Sequence, residues 1–139
     1  MAATGTELGM SRLGGRSRLA SQVGLVLAGV MGAANLSNGA MSLVDPRAGQ
    51  LDPTVAPQPV WISLTLLVLG LATLVALVPA WRGHRPSLWT VVVTRLVEAW
   101  SALVLPFLPG APAGMWPFVI GLIVVGTLVA GLVGMALRR

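Results

Sequence analysis

The chain has 139 residues, the length of a single domain, and 55% of them are hydrophobic while only 9% are charged. Soluble domains carry about 25% charged residues, so this chain has too little polar surface to cover its exterior in water. The composition therefore excludes an ordinary soluble domain and predicts a protein surrounded by a lipid bilayer.

The net charge of +5 comes from arginine alone, since the sequence contains no lysine. The arginines lie at the ends of apolar segments rather than in a patch interleaved with aromatic residues, which disfavours nucleic acid as a partner. Cysteine is absent, so disulfides, thiolate metal sites and cysteine nucleophiles are excluded.

Four apolar segments follow one another along the chain, and each is long enough to cross a bilayer, which takes around 20 helical residues. The predicted spans are about 19–43, 60–81, 88–105 and 116–137. The fold predicted from them is an all-α, up-down bundle of four transmembrane helices, which forms a single domain over residues 19–139.

The segments outside these spans differ in composition. Residues 1–18 are rich in Gly, Ser and Arg and are predicted to form a disordered cytoplasmic tail. The segment 44–59 contains four prolines, and the segment 106–114 is rich in proline and glycine and uncharged. Both are predicted to be loops outside the bilayer.

The distribution of arginine predicts the orientation of the bundle. Seven arginines fall on one side of the predicted membrane and only Arg47 falls on the other; the seven are Arg12, Arg16, Arg18, Arg82, Arg85, Arg138 and Arg139. The positive-inside rule then places both termini in the cytoplasm. A competing interpretation makes the first span a cleaved signal peptide, because arginines, an apolar run and small residues also occur there.

Small residues recur every four positions in two of the spans. Gly24, Ala28 and Gly32 share one face of the first span, and Gly126, Ala130 and Gly134 share one face of the fourth. Because lipid is as apolar as leucine, membrane helices associate through such close-packing faces. The pattern predicts contacts within a bundle, and a homodimer through one of these faces is a second, compatible interpretation.

The third span contains two charged residues, Arg95 and Glu98, where a charge costs about 2.5–3.5 kcal/mol near the centre of a membrane helix. They are three residues apart and are expected to pair along the helix, with Arg95 snorkelling toward the cytoplasmic interface. Glu98 is expected to face inward and to find Asn35 or Thr127 as its partner.

An intramembrane polar cluster of Asn35, Asn38, Arg95, Glu98 and Thr127 is thus predicted. Three roles are open for it: fixing helix register, binding a proton or substrate in a carrier, or docking on a partner membrane protein.

The sequence contains few residues that could act as catalytic groups. The single histidine, His84, lies among arginines in a short loop, the four acids are scattered, and the glycines lie within spans rather than in a phosphate-binding loop. No metal site and no cofactor are predicted, and the protein is not expected to be an enzyme.

The order WRGHRP, TRLVEAWSAL and a short loop containing PG resembles small four-helix integral membrane proteins of GC-rich bacteria, over residues 60–137. That resemblance implies a multi-pass protein of the bacterial cytoplasmic (inner) membrane and implies no activity. Small multidrug-resistance exporters carry a glutamate in their first helix, which the predicted span 19–43 lacks, and the glycine-rich motif of fluoride channels is absent.

The sequence therefore predicts a non-catalytic accessory or scaffold protein that docks on other membrane proteins or on a second copy of itself. The alternative is a small proton-coupled secondary transporter, working as a homodimer, in which Glu98 is the proton-sensitive residue.

Overall fold

A computed structural model of the protein describes residues 5–47, 57–108, 111 and 114–138. The described chain is helical, with the elements α1 (Gly5–Val44), α2 (Val60–Trp81), α3 (Arg85–Ser101), a 3₁₀ helix (Ala102–Phe107) and α4 (Trp116–Gly134). Four helical stretches are long and apolar enough to cross a membrane: Ser17–Val44, Val60–Trp81, Arg85–Phe107 and Trp116–Gly134.

The four predicted spans match these helices, with differences at their ends. The second helix has the predicted bounds, and α4 ends at Gly134, three residues before the predicted end. The third span starts earlier, at Arg85, because Pro86 is compatible with the first turn of a helix, where no intrahelical N–H bond is required.

The first helix departs most from the prediction, since α1 begins at Gly5 and includes residues that the sequence assigned to a disordered tail. Residues 5–18 contain Glu, Leu, Met and Arg, which are good helix formers, and a helix propagates easily from a packed segment once it is nucleated. Of the loop predicted over 44–59, residues 48–56 lie outside the described part of the chain, as do residues 109, 110, 112 and 113 of the second loop.

The helices pack as a four-membered ring, in which α1 and α3 each contact both α2 and α4. As residue numbers rise along α1, the residues that they contact on α2 have falling numbers: Gly29 lies near Leu77, Gly32 near Thr73, and Gly39 near Ser63 and Leu67. The two helices are therefore antiparallel. Gly83, with φ of +83°, makes the tight turn from α2 into α3, which a residue with a side chain would rarely adopt.

The main cluster of buried hydrophobic residues lies in one half of the bundle, the half that contains the α2–α3 turn and the end of α4. Its members come from all four helices: Leu25, Ala28, Ala76, Ala80, Leu88, Val91, Val92, Val129, Ala130 and Val133. We call this the packed half. The other half, toward the loops that follow α1 and the 3₁₀ helix, contains a cavity, and the charged residues of α3 lie between the two halves.

Candidate functional site: a buried arginine beneath a cavity between the helices

Arg95 lies fully inside the bundle, with 0% of its surface exposed. Its Nη2 atom donates a hydrogen bond of 2.8 Å to Oγ1 of Thr73 on α2. The expectation that Arg95 snorkels to an interface is therefore wrong. Thr73 offers a hydrogen-bond acceptor at the same depth, so the guanidinium can be satisfied inside the bundle. If the Arg95 side chain extended outward to an interface instead, it would leave an unfilled void between α2 and α3.

Two threonines complete the contact between α2 and α3. The Thr73 hydroxyl oxygen accepts the bond from Arg95 and lies 2.8 Å from the carbonyl oxygen of Leu69 and 2.9 Å from Oγ1 of Thr94. We call Thr73, Thr94, Arg95 and Glu98 the polar layer. Because its bonds cross between two helices, it fixes the register of α2 against α3.

Glu98 forms the predicted intrahelical pair, with its Oε2 atom 2.5 Å from Nη1 of Arg95. The prediction that Asn35 or Thr127 would be its partner is wrong, because Arg95, one turn earlier on the same helix, supplies the opposite charge at shorter range. The pair is close but poorly aligned for a hydrogen bond, and Nε of Arg95 has no hydrogen-bond partner among the described residues.

Above the polar layer lies a cavity of about 300 Å³. Its polar lining residues are Asn35, Asn38, Gln58, Thr65, Glu98 and Ser101. The remaining lining is mostly apolar and includes Met31, Trp61, Leu69, Phe118 and Leu122. Glu98 keeps 14% of its side chain exposed, in contrast to Arg95, and so borders both the ion pair and the cavity.

The two asparagines of α1 line this cavity in different environments. Asn35 is nine-tenths buried, and its Nδ2 atom has no hydrogen-bond partner among the described residues. Asn38 is exposed. Thr127 is exposed on α4 and does not line the cavity. The structure thus brings together four members of the predicted cluster, in two connected groups, and leaves Thr127 outside.

The small-residue faces are occupied by contacts within the chain. A Cβ added at Gly24 would meet Leu132 of α4 at 2.8 Å, one at Gly32 would meet Thr73 at 3.3 Å, and one at Gly126 would meet Ala99 at 2.7 Å. Ala28 and Ala130 are buried. An added Cβ at Gly134 meets nothing within 4 Å, so this residue does not continue the packing face predicted for α4.

A homodimer through the Gly24 face or the Gly126 face would therefore have to replace contacts that the chain makes with itself. The outward side of α4 is different, because Cβ atoms added at Gly121 and Gly131 meet no atom within 4 Å. At 100° per residue these two glycines lie on the same broad side of the helix, opposite Ala130 and Val133. The predicted pattern therefore marks the packed glycine Gly126 of this helix, and it does not mark the open positions Gly121 and Gly131.

Sequence reasoning also missed several cavity residues. Gln58, whose Nε2 donates to Oγ of Ser63 at 3.3 Å, lies in a segment predicted to be a loop, and Trp61 and Thr65 lie on a helix without charge. The sequence contained one indication that Thr73 lies near the site, since counting residues from the helix ends places it at the depth of Arg95. No cluster of three potential metal-ligating side chains occurs in the described part of the chain.

No protein-family model, no curated protein and no solved structure matches the chain.

Proposed function

We propose that the protein is a non-catalytic integral membrane protein that crosses the bilayer four times and serves as an accessory or scaffold component of a membrane assembly. The lipid location is supported by the four apolar helices, whose outward surfaces are covered by large hydrophobic side chains such as Val75, Val78 and Leu128. Soluble monomeric proteins rarely expose so much contiguous apolar surface.

The orientation follows from the arginines at one end of the bundle. Arg18 and Arg138 lie at the same end as the α2–α3 turn with Arg82 and Arg85, and the positive-inside rule makes that end cytoplasmic. Trp81, Trp89 and Trp116 lie on the outside near helix ends, where the amphipathic ring suits the interface, and Trp61 is half exposed near the start of α2, where it also borders the cavity.

The absence of cysteine makes the orientation directly testable. Cysteine placed at Asp45 is expected to react with a membrane-impermeant maleimide in intact cells, and cysteine placed at His84 only after the membrane is permeabilised. Both positions are exposed, so a difference in reactivity between them would reflect the side of the membrane and not burial. Recovery of the protein in the soluble fraction, or labelling of both variants in intact cells, would reject the proposed topology.

The observation that supports an accessory role is the outward side of α4, where Gly121 and Gly131 have open space in place of a neighbour. Glycine lets a second helix approach closely, which is how membrane helices associate without a hydrophobic driving force. The charges of α3, by contrast, are paired inside the bundle and need no partner to neutralise them.

The test is extraction of the tagged protein in mild detergent, followed by mass determination of what remains bound. We expect a stoichiometric companion, either another membrane protein or a second copy, that is lost in Gly131→Leu. Val75→Leu, at an equally outward position on α2, is the matched control and should retain it. A monomer without companion, or equal retention by both variants, would contradict the accessory role.

A second candidate, a small proton-coupled carrier with Glu98 as its proton-sensitive residue, is favoured by the position of this carboxylate beside the cavity. In liposomes with an imposed proton gradient, such a carrier would accumulate a labelled solute. Arg95→Gln/Glu98→Gln should abolish accumulation without stranding a buried charge. A wild-type protein that moves no cation, anion or neutral drug under the gradient would exclude this candidate.

A further inference from the structure

The cavity above the polar layer has the dimensions and the composition of a ligand site. Its volume of about 300 Å³ falls at the lower end of small-molecule pockets, which are mostly apolar with a few placed polar groups. All four helices contribute to its walls, and the polar layer closes it toward the packed half. A ligand inside would therefore touch residues that are distant in sequence.

Asn35 supplies the first specific feature. Its side chain is nine-tenths buried and lines the cavity, yet its Nδ2 atom has no acceptor among the described residues. Leaving a buried donor without a partner is unfavourable, so a ligand group that brings an acceptor to this wall gains affinity. The complementary ligand group is a carbonyl or hydroxyl oxygen.

The Arg95–Glu98 pair supplies the second feature, because it makes the floor of the cavity neutral as a whole. A cationic ligand at Glu98 would be repelled by the guanidinium 2.5 Å from the carboxylate, and an anionic ligand would meet Glu98 itself, which borders the cavity while Arg95 does not. The floor thus accepts a hydrogen bond through the exposed part of Glu98 but offers no net charge to a ligand.

The walls supply the third feature, since Met31, Trp61, Leu69 and Phe118 surround the space between the polar groups. These side chains fit an apolar or aromatic body. We infer that the cavity binds a small uncharged molecule with an apolar body and a donor–acceptor group, such as a primary amide, whose oxygen accepts from Asn35 and whose N–H donates to Glu98. This site is separate from the outward side of α4 on which the accessory role depends.

Three probes of matched size separate the possibilities: benzamide is neutral, benzoate is an anion and benzylammonium is a cation. Binding is measured by equilibrium dialysis against nanodiscs that contain the protein, with empty nanodiscs subtracting partition into lipid. We expect saturable binding of benzamide, at least about tenfold tighter than that of either charged probe, the factor that one hydrogen bond supplies.

Asn35→Leu should weaken benzamide binding by about tenfold, because it removes the donor and keeps the volume. Thr127→Val removes a polar group on the outside of the same bundle and should leave binding unchanged. Leu122→Trp should abolish binding by filling the cavity, with circular dichroism and gel filtration confirming that each variant remains folded.

Preference for either charged probe would overturn the assignment of a neutral ligand. Equal binding by wild type and a folded Asn35→Leu variant would overturn the role of Asn35, and the absence of saturable binding above lipid partition would overturn the site itself. None of these results bears on whether a companion is lost in Gly131→Leu, so the two proposals fail independently.

Discussion

The packed half and the cavity half of the bundle are built from the same four helices, but they fill their centres differently. In the packed half, Leu25, Val91, Val129 and Val133 interdigitate and leave almost no exposed surface. In the cavity half, glycines bring α1 and α2 into backbone contact, and a 3₁₀ helix containing Pro106 follows α3. The difference shows that close packing along one interface does not fill the bundle across its whole width.

The polar layer lies where the two halves meet, and this position explains its composition. Below it, apolar side chains exclude water and enclose Arg95, and above it the cavity leaves part of Glu98 exposed. A charge enclosed on one side can be kept only when its counter-charge and hydrogen-bond acceptor are supplied by the protein, which Glu98 and Thr73 do.

Removing one charge of the pair gives the largest expected effect on this arrangement. Glu98→Gln leaves the Arg95 guanidinium buried without a counter-charge and should lower the free energy of unfolding by about 3–5 kcal/mol. The measurement is denaturant-induced unfolding in detergent, monitored by circular dichroism. Arg95→Met/Glu98→Gln should recover most of the loss, since it removes both charges; a double variant as unstable as the single one would show that the pair is not the cause.

Leucine truncation compares the two halves directly. Leu25→Ala creates a void in the packed half and should cost about 2–5 kcal/mol, whereas Leu69→Ala only enlarges an existing cavity and should cost less than half as much. Both variants remove the same atoms, so the same unfolding assay isolates the effect of packing. Equal losses would mean that the cavity half is as tightly filled as the packed half.

Glycine substitution gives a smaller effect that differs in sign between the inner and outer surfaces. A Cβ at Gly70 would lie 2.7 Å from the Gly32 carbonyl oxygen and from the Leu36 amide nitrogen, both backbone atoms, so Gly70→Ala should cost about 1–3 kcal/mol.

At Gly131 nothing lies within 4 Å, and Gly131→Ala should stabilise the helix by about 0.4–1 kcal/mol by restricting the unfolded chain. Thermal unfolding in the same detergent checks both variants. Stabilisation by Gly70→Ala would contradict the close approach of α1 and α2.

The sequence by itself determined that the chain is helical, how many of its segments are long and apolar enough to cross a membrane, and which residues are charged within them. These features depend on composition and on the length of apolar runs, which neighbours in the fold do not change. The helical pairing of Arg95 and Glu98 also follows from their spacing of three residues alone.

Only the tertiary structure decided where the buried groups find partners. Whether Arg95 extends outward or bonds to Thr73, whether Thr127 faces inward, and which glycines remain open all depend on how each helix is rotated about its axis. In a helix that is apolar on every side, no hydrophobic face marks the inward direction, so the rotation is set by packing against the other three helices.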